Sequence, residues 1–148
     1  MLIGQYSSKI SKKRRVAVPF KFRQQLGEVF ILTRWYENCL ALVSISEWNL
    51  LVKKLIGEAK GITEPVRDTD RFLLGLAFEL KPDEQGRVII PEKLAEFAGI
   101  KEGVVFIGLG NRVEVWDQEN WMKKEDEVQK HASEYIEKIT RQTRKVGD

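Results

Sequence analysis

Short branched apolar runs and stretches of helical spacing alternate along this chain, and the alternation runs through twice. Arg15 to Val18 alternates polar and apolar residues, the period of a half-buried strand. It stops at Pro19, whose fixed φ suits the first position of a short helix that Gly27 can end in the left-handed conformation. Val29 to Leu32 and Leu40 to Val43 are apolar runs around the polar Tyr36-Glu37-Asn38, which predicts a hairpin. Ser46 then offers an N-cap, and Trp48, Leu51, Val52, Leu55 and Ala59 fall on one helical stripe. From Glu64 to Ala77 an acidic first turn with Pro65 leads into Phe72, Leu73 and Leu76, a further helix.

The second passage repeats the first. Lys12 to Gly27 returns as Glu84 to Gly99, with Arg15, Val16, Pro19, Lys21 and Gly27 recurring as Arg87, Val88, Pro91, Lys93 and Gly99 at one offset of 72 positions. Downstream, Val29 to Leu32 answers Val104 to Ile107, and Val43 with Trp48 answers Trp116 with Trp121. A second hairpin is expected from Val104 to Ile107 and Val113 to Trp116, turning through Gly108-Leu109-Gly110-Asn111. Asp117 would cap the last helix, about Glu119 to Thr140, in which Val128, Ala132, Tyr135 and Ile139 form a narrow apolar seam. So brief a seam favours packing on the chain's own body over packing between subunits. Two copies predict an internal pseudo-dimer, since a solenoid needs three or more. The chain divides accordingly into a first repeat with its helix at 1–60, a linking helix at 61–78, a second repeat with the C-terminal helix at 79–140, and a frayed basic tail at 141–148 that carries Arg141, Arg144 and Lys145.

Charge separates the copies. From Met1 to Gly27 stand Lys9, Lys12, Lys13, Arg14, Arg15, Lys21 and Arg23, with no Asp or Glu. The whole chain carries only +3, so the remainder is net acidic. A single cationic face on an acidic body is the footprint of a polyanion partner. Sequence reading requires forked donors that reach base edges, and phosphate binding requires cations along the backbone. Arg15, with Lys13 beside it, is the candidate for base contact. Lys9, Lys12, Arg14, Lys21 and Arg23 are the candidates for phosphates. Because alternate residues of a strand face opposite ways, the run from Lys12 to Arg15 is not expected to meet one groove as a block.

Other chemistry finds little support. The 148 residues suffice for one domain without staples. A single cysteine, Cys39, excludes an internal disulfide framework and reads as a buried packing residue of a reducing compartment. No secretory pattern opens the chain, and no apolar run approaches the roughly 20 residues of a membrane span. The lone His131 lies in a polar helical stretch, and no metal-ligand spacing surrounds it. Gly108-Leu109-Gly110 lacks the third glycine of a phosphate loop. Asp83 and Arg87, four apart around Gly86, read as a turn held by a carboxylate and a guanidinium. The expectation is a cytoplasmic non-enzyme with no cofactor and no metal.

The doubled pattern resembles the MraZ family. It combines an Asp-x-x-x-Arg turn, a hydrophobic strand, a Pro and a short helix, with Trp48 and the run Val113 to Trp116 downstream. The likeness spans about Ile3 to Ile139. It implies a mixed α+β fold of two tandem AbrB-like swapped-hairpin units forming an intramolecular pseudo-dimer, with flanking helices. It further implies a ring-like homo-oligomer that binds short direct repeats in double-stranded promoter DNA and acts mainly as a repressor of a bacterial division and cell-wall gene cluster, in the cytoplasm at the nucleoid. The second copy keeps the motif as Asp83 to Arg87, which points to a supporting, structural role for Asp83 and Arg87. In the first copy Ser11 replaces the usual Asp and Arg14 the usual Gly, so Arg15 lacks its expected ion-pair partner and a bulky side chain enters a turn that favours positive φ. The rival readings are an antitoxin-like AbrB-type regulator, against which the duplication argues, and a ring-forming scaffold without DNA binding, against which the acid-free basic stretch argues.

Overall fold

Two strands that the apolar pattern does not announce organise the fold. The computed structural model describes residues 1–55 and 62–147, with side chains through 143. Ala59 of the predicted stripe and the side chains of Arg144 and Lys145 lie outside the described residues. The chain forms two units, Met1–Gln118 and Glu119–Asp148. The first copy comprises β1 (Leu2–Lys9), β2 (Arg15–Ala17), α1 (Phe20–Leu26), β3 (Phe30–Arg34), β4 (Leu40–Ser44) and α2 (Ile45–Leu55). Then follow α3 (Glu64–Leu73), β5 (Phe78–Leu80), β6 (Arg87–Ile89), α4 (Glu92–Phe97), β7 (Gly103–Gly110), β8 (Val113–Asp117) and α5 (Gln118–Gly147).

The unannounced strands are β1 and β5, and they cross over. β1 pairs antiparallel with β7 of the second copy, from Leu2 opposite Gly110 to Lys9 opposite Gly103. β5 pairs with β3 of the first copy, Phe30 opposite Leu80 and Leu32 opposite Phe78. The six-stranded sheet therefore runs β1-β7-β8-β4-β3-β5, with the two hairpins joined at its centre by β8 and β4. β2 and β6 form a separate antiparallel ribbon in which Val16 faces Val88, its own counterpart 72 residues on, so the pseudo-two-fold axis passes through this pair. The swap extends beyond the ribbon, because Val18 N–H donates to Gly86 O at 3.0 Å and Ile90 N–H donates to Arg14 O at 2.8 Å.

Equivalent positions fill one core. Val16 and Val88, Val18 and Ile90, Phe22 and Leu94, Leu26 and Ala98, Leu40 and Val113, and Leu42 and Val115 are all buried in the same cluster. The ladder moves one equivalence by a residue: Ser8 faces Val104 as Leu80 faces Phe30, so Phe30, and not Val29, is the counterpart of Val104.

Several local expectations shift. Pro19 and Pro91 are N-caps, one position before their helices. Gly27 has φ 93° and ψ −176°, positive but extended, whereas Gly99 at φ 62° closes α4 in a Schellman arrangement with Ile100 N–H on Ala95 O and Gly99 N–H on Glu96 O. Gly108 and Gly110 belong to β7, and the second hairpin turns at Asn111 and Arg112. Ser44, not Ser46, caps α2, accepting the Glu47 N–H at 3.2 Å. Along α2, Trp48, Leu51 and Val52 are half-buried and Leu55 is exposed. The predicted tail is helical, since α5 continues to Gly147, with Arg141 bonded to Glu137 at 2.7 Å. Within α5 the seam residues Val128, Tyr135 and Ile139 are exposed.

The end of α3 is held from β3. Arg34 donates from Nε to Phe72 O and from Nη2 to Arg71 O, both at 2.9 Å, with its guanidinium 4.7 Å from the Phe72 ring centroid. The Phe72 carbonyl lies in the last turn, where a helix leaves acceptors without internal donors, and the Arg71 carbonyl also takes the Gly75 N–H. Arg34→Ala should therefore cost about 1.5–3 kcal/mol, read as a lower urea midpoint. Arg34→Lys should restore little, because an ammonium lacks the fork.

Candidate nucleic-acid interface

The outward face of the β2–β6 ribbon is set by strand alternation. Val16 and Val88 point into the core, which turns Arg15 and Ala17 of β2 and Arg87 and Ile89 of β6 the other way. Each strand is entered through a tight turn. In the second copy Gly86 N–H donates to Asp83 O, and Asp83 Oδ1 accepts the amides of Gln85 and Arg87 at 2.9 and 3.0 Å. Asp83 Oδ2 takes the Arg87 Nε–H at 3.0 Å. The Arg87 amide, then the Gln85 amide and the Arg87 side chain, hold the Asp83 carboxyl below the usual carboxylate range. The first copy builds the same turn without a carboxylate: Arg14 N–H donates to Ser11 O at 2.9 Å, and Arg15 N–H to Ser11 Oγ at 3.1 Å. Among the described residues Arg15 has no ion-pair partner.

Arg14 and Arg23 occupy matching places. Arg14 has φ 62° where its counterpart Gly86 has φ 76°, the left-handed backbone expected of this turn. Its Nε donates to Ile90 O at 2.9 Å, and Arg23 Nε donates to Val18 O, the equivalent carbonyl, at 3.0 Å. Gly86 leaves room for this: a Cβ there would stand 2.4 Å from the Arg23 guanidinium carbon. Both arginines thus commit one donor to the backbone beside the ribbon. Positioning the turns is the work their geometry does.

Lys9, Ile10, Ser11, Lys12, Lys13, Arg15, Ala17 and Arg87 line an open groove of about 600 Å³, and no carboxylate stands among them. The fold brings Lys9, Lys12, Lys13 and Arg15 together as cations. Lys12 and Lys13 lie in the turn before β2 and line the groove with Arg15, while Arg14 turns to Ile90 O instead. Lys21 is exposed on α1. Arg87 enters the same groove from the other copy. Sequence reading missed this because the pairing of Ala17 with Arg87 depends on a contact 70 residues apart along the chain.

The remaining reactive groups are occupied. Cys39 is buried, donates to Tyr36 O at 3.3 Å, and is pushed up by burial first and then by the Glu114 charge, so its thiolate is disfavoured. The buried Glu114 accepts Trp116 Nε1–H at 3.0 Å and Arg112 Nε–H at 3.1 Å. Within α5, His131 Nδ1 lies 2.9 Å from Glu134 and lowers that carboxyl's pKa through the hydrogen bond and its charge. Among the described residues no three His, Cys, Asp or Glu form a metal cluster, and no helix is long and apolar enough to cross a membrane.

A ribbon assembled from both halves of one chain, faced by a groove lined with cations, defines a tandem swapped-hairpin protein with one concentrated cationic surface. The family described as "MraZ protein, putative antitoxin-like" matches the chain twice, over residues 1–72 and 73–144. A protein named "Transcriptional regulator MraZ" from Caldicellulosiruptor bescii is 43% identical over 84% of this chain and 86% of its own length. Its namesakes from Caldicellulosiruptor saccharolyticus and Acetivibrio thermocellus are 39% and 40% identical, over 99% and 94% of this chain and 99% and 96% of their own. The chain belongs to the MraZ family, whose tandem repeats are the AbrB-like pseudo-dimer seen in the fold. These relatives are named as transcriptional regulators and not as enzymes.

Proposed function

We propose that this protein is a sequence-specific, double-stranded-DNA-binding transcriptional regulator that presents its β2–β6 ribbon to the major groove. The observation that carries the reading is the acid-free groove in which Lys9, Lys12, Lys13 and Arg15 meet Arg87 on the ribbon's outward face. A two-stranded ribbon fits the width of the major groove, and a guanidinium can bridge two acceptors on a guanine edge. Arg15, with Lys13, takes the base contact; Lys9, Lys12 and Lys21 take phosphates; Arg14 and Arg23 hold the turns and add their charge to the phosphate field. The target class that the family resemblance implies is short direct promoter repeats of a division and cell-wall gene cluster, repressed by a ring-like homo-oligomer at the nucleoid. Linking several weak contacts in one assembly would make later contacts intramolecular and raise affinity.

The test is binding to the protein's own upstream promoter fragment against a shuffled fragment of equal length, titrated across salt. A preference for the promoter that survives at physiological salt is expected, with log K falling against log salt by about 0.9 for each phosphate neutralised. Equal, salt-sensitive binding to both fragments would mean a sequence-blind polyanion binder. No binding to either would favour the scaffold.

A further inference from the structure

We infer that Ser11 determines how much charge the ribbon offers to DNA: it keeps the turn that an aspartate would hold while leaving Arg15 unneutralised. This rests on the DNA-binding reading above. The chain contains its own control, since the two turns differ in chemistry and agree in geometry. Residues 11 and 83 each return an N–H to the arginine carbonyl, at 3.0 Å to Arg15 O and 2.9 Å to Arg87 O. Each accepts the arginine amide on its side chain, at 3.1 Å on Ser11 Oγ and 3.0 Å on Asp83 Oδ1. Each accepts the next N–H on its backbone carbonyl, Arg14 and Gly86 alike at 2.9 Å.

Two bonds of the Asp83 turn have no Ser11 counterpart: the Gln85 N–H on Asp83 Oδ1, and the one that decides the charge. Asp83 has a second oxygen, which takes Arg87 Nε–H at 3.0 Å, and Ser11 has none. Arg87 therefore stands in the groove with its charge compensated, while Arg15 stands there without compensation. A guanidinium bound to a carboxylate must give up that partner, or share it, to bind a phosphate or a base edge. Ser11 removes that competition in one copy alone. The ribbon is pseudo-symmetric in backbone and unsymmetric in available charge.

The experiment compares Ser11→Asp, Ser11→Asn and Asp83→Ser with the wild type by fluorescence anisotropy on the promoter fragment across salt. Ser11→Asp should weaken binding about five- to tenfold and reduce the salt slope by about one, because it closes Arg15 as Arg87 is closed. Ser11→Asn supplies an uncharged oxygen for the same amide and should stay within about twofold of wild type. Asp83→Ser should tighten binding and steepen the slope by about one. Urea midpoints report whether the turn survives each change. Side-chain exchange of the Arg15 Nε–H, followed by NMR without DNA, should slow in Ser11→Asp alone. Equal losses in Ser11→Asp and Ser11→Asn, or an Arg15 Nε–H unaffected by the aspartate, would overturn the inference. A wild type that fails to prefer its promoter would instead sink the DNA reading, and the NMR result would still decide whether residue 11 governs the pairing of Arg15.

Discussion

Replacement of Gly108 by valine should detach β1 from the sheet and destabilise the protein by about 3 kcal/mol or more. A Cβ on Gly108 would stand 2.6 Å from Ile3 N and 2.7 Å from the Leu2 carbonyl carbon. Both are backbone atoms, so no rotamer change relieves the clash and the strand itself must move. Losing β1 removes the buried Leu2 and the edge-to-face contact of Tyr6 with Phe22, whose centroids are 5.2 Å apart. It also bares β7, an apolar strand whose free edge invites association. The urea midpoint should fall, and amide exchange from Gln5 to Lys9 should accelerate well before that of β3 and β4. Gly108→Ala should act in the same direction and less. An unchanged midpoint with β1 still protected would refute the close approach.

Arg15→Ala should weaken promoter binding roughly ten- to a hundredfold, the scale of one bidentate base contact, and flatten the preference over the shuffled fragment. Thermal and urea stability should hold, because the turn is fastened by the Arg15 backbone and Ser11 and not by the Arg15 side chain. Arg14→Ala and Arg23→Ala provide the contrast. Each removes a donor from a backbone carbonyl, so their first effect should be on stability. Arg87→Ala should cost less binding than Arg15→Ala, since Asp83 already shares its charge. If Arg15→Ala kept full affinity and preference, the ribbon would not be the reading element.

Much of this was legible from residue order. The constant offset between Arg15 and Arg87, Val16 and Val88, and Pro19 and Pro91 marks the duplication, and the Asp83–Arg87 turn forms as its spacing suggests. What escaped was long-range. β1 is an edge strand with Leu2 as its only fully buried residue, so it carries no apolar period to detect. One signal was available, because the 72-residue offset makes Tyr6 equivalent to Phe78 and Lys9 to Lys81, so that β5 is the counterpart of β1. Gly108 was assigned to a turn by its neighbours, though a glycine inside an apolar run also marks close backbone approach. The swap itself came from family resemblance, since local propensity is blind to which hairpin an edge strand joins. Arg87's place in the groove follows from that swap and was hidden with it.

The Val16–Val88 pair has a consequence of another kind. In a dimer of identical chains both residues at the axis come from one codon, and every substitution near it appears at both ends of the ribbon together. Here the two ends are encoded separately, so Ser11 and Asp83 are free to diverge while the valines between them keep the halves in register. Carrying both copies in one chain thus turns an obligatory symmetry into an adjustable one, and a mutation can tune one end of the ribbon without touching the other.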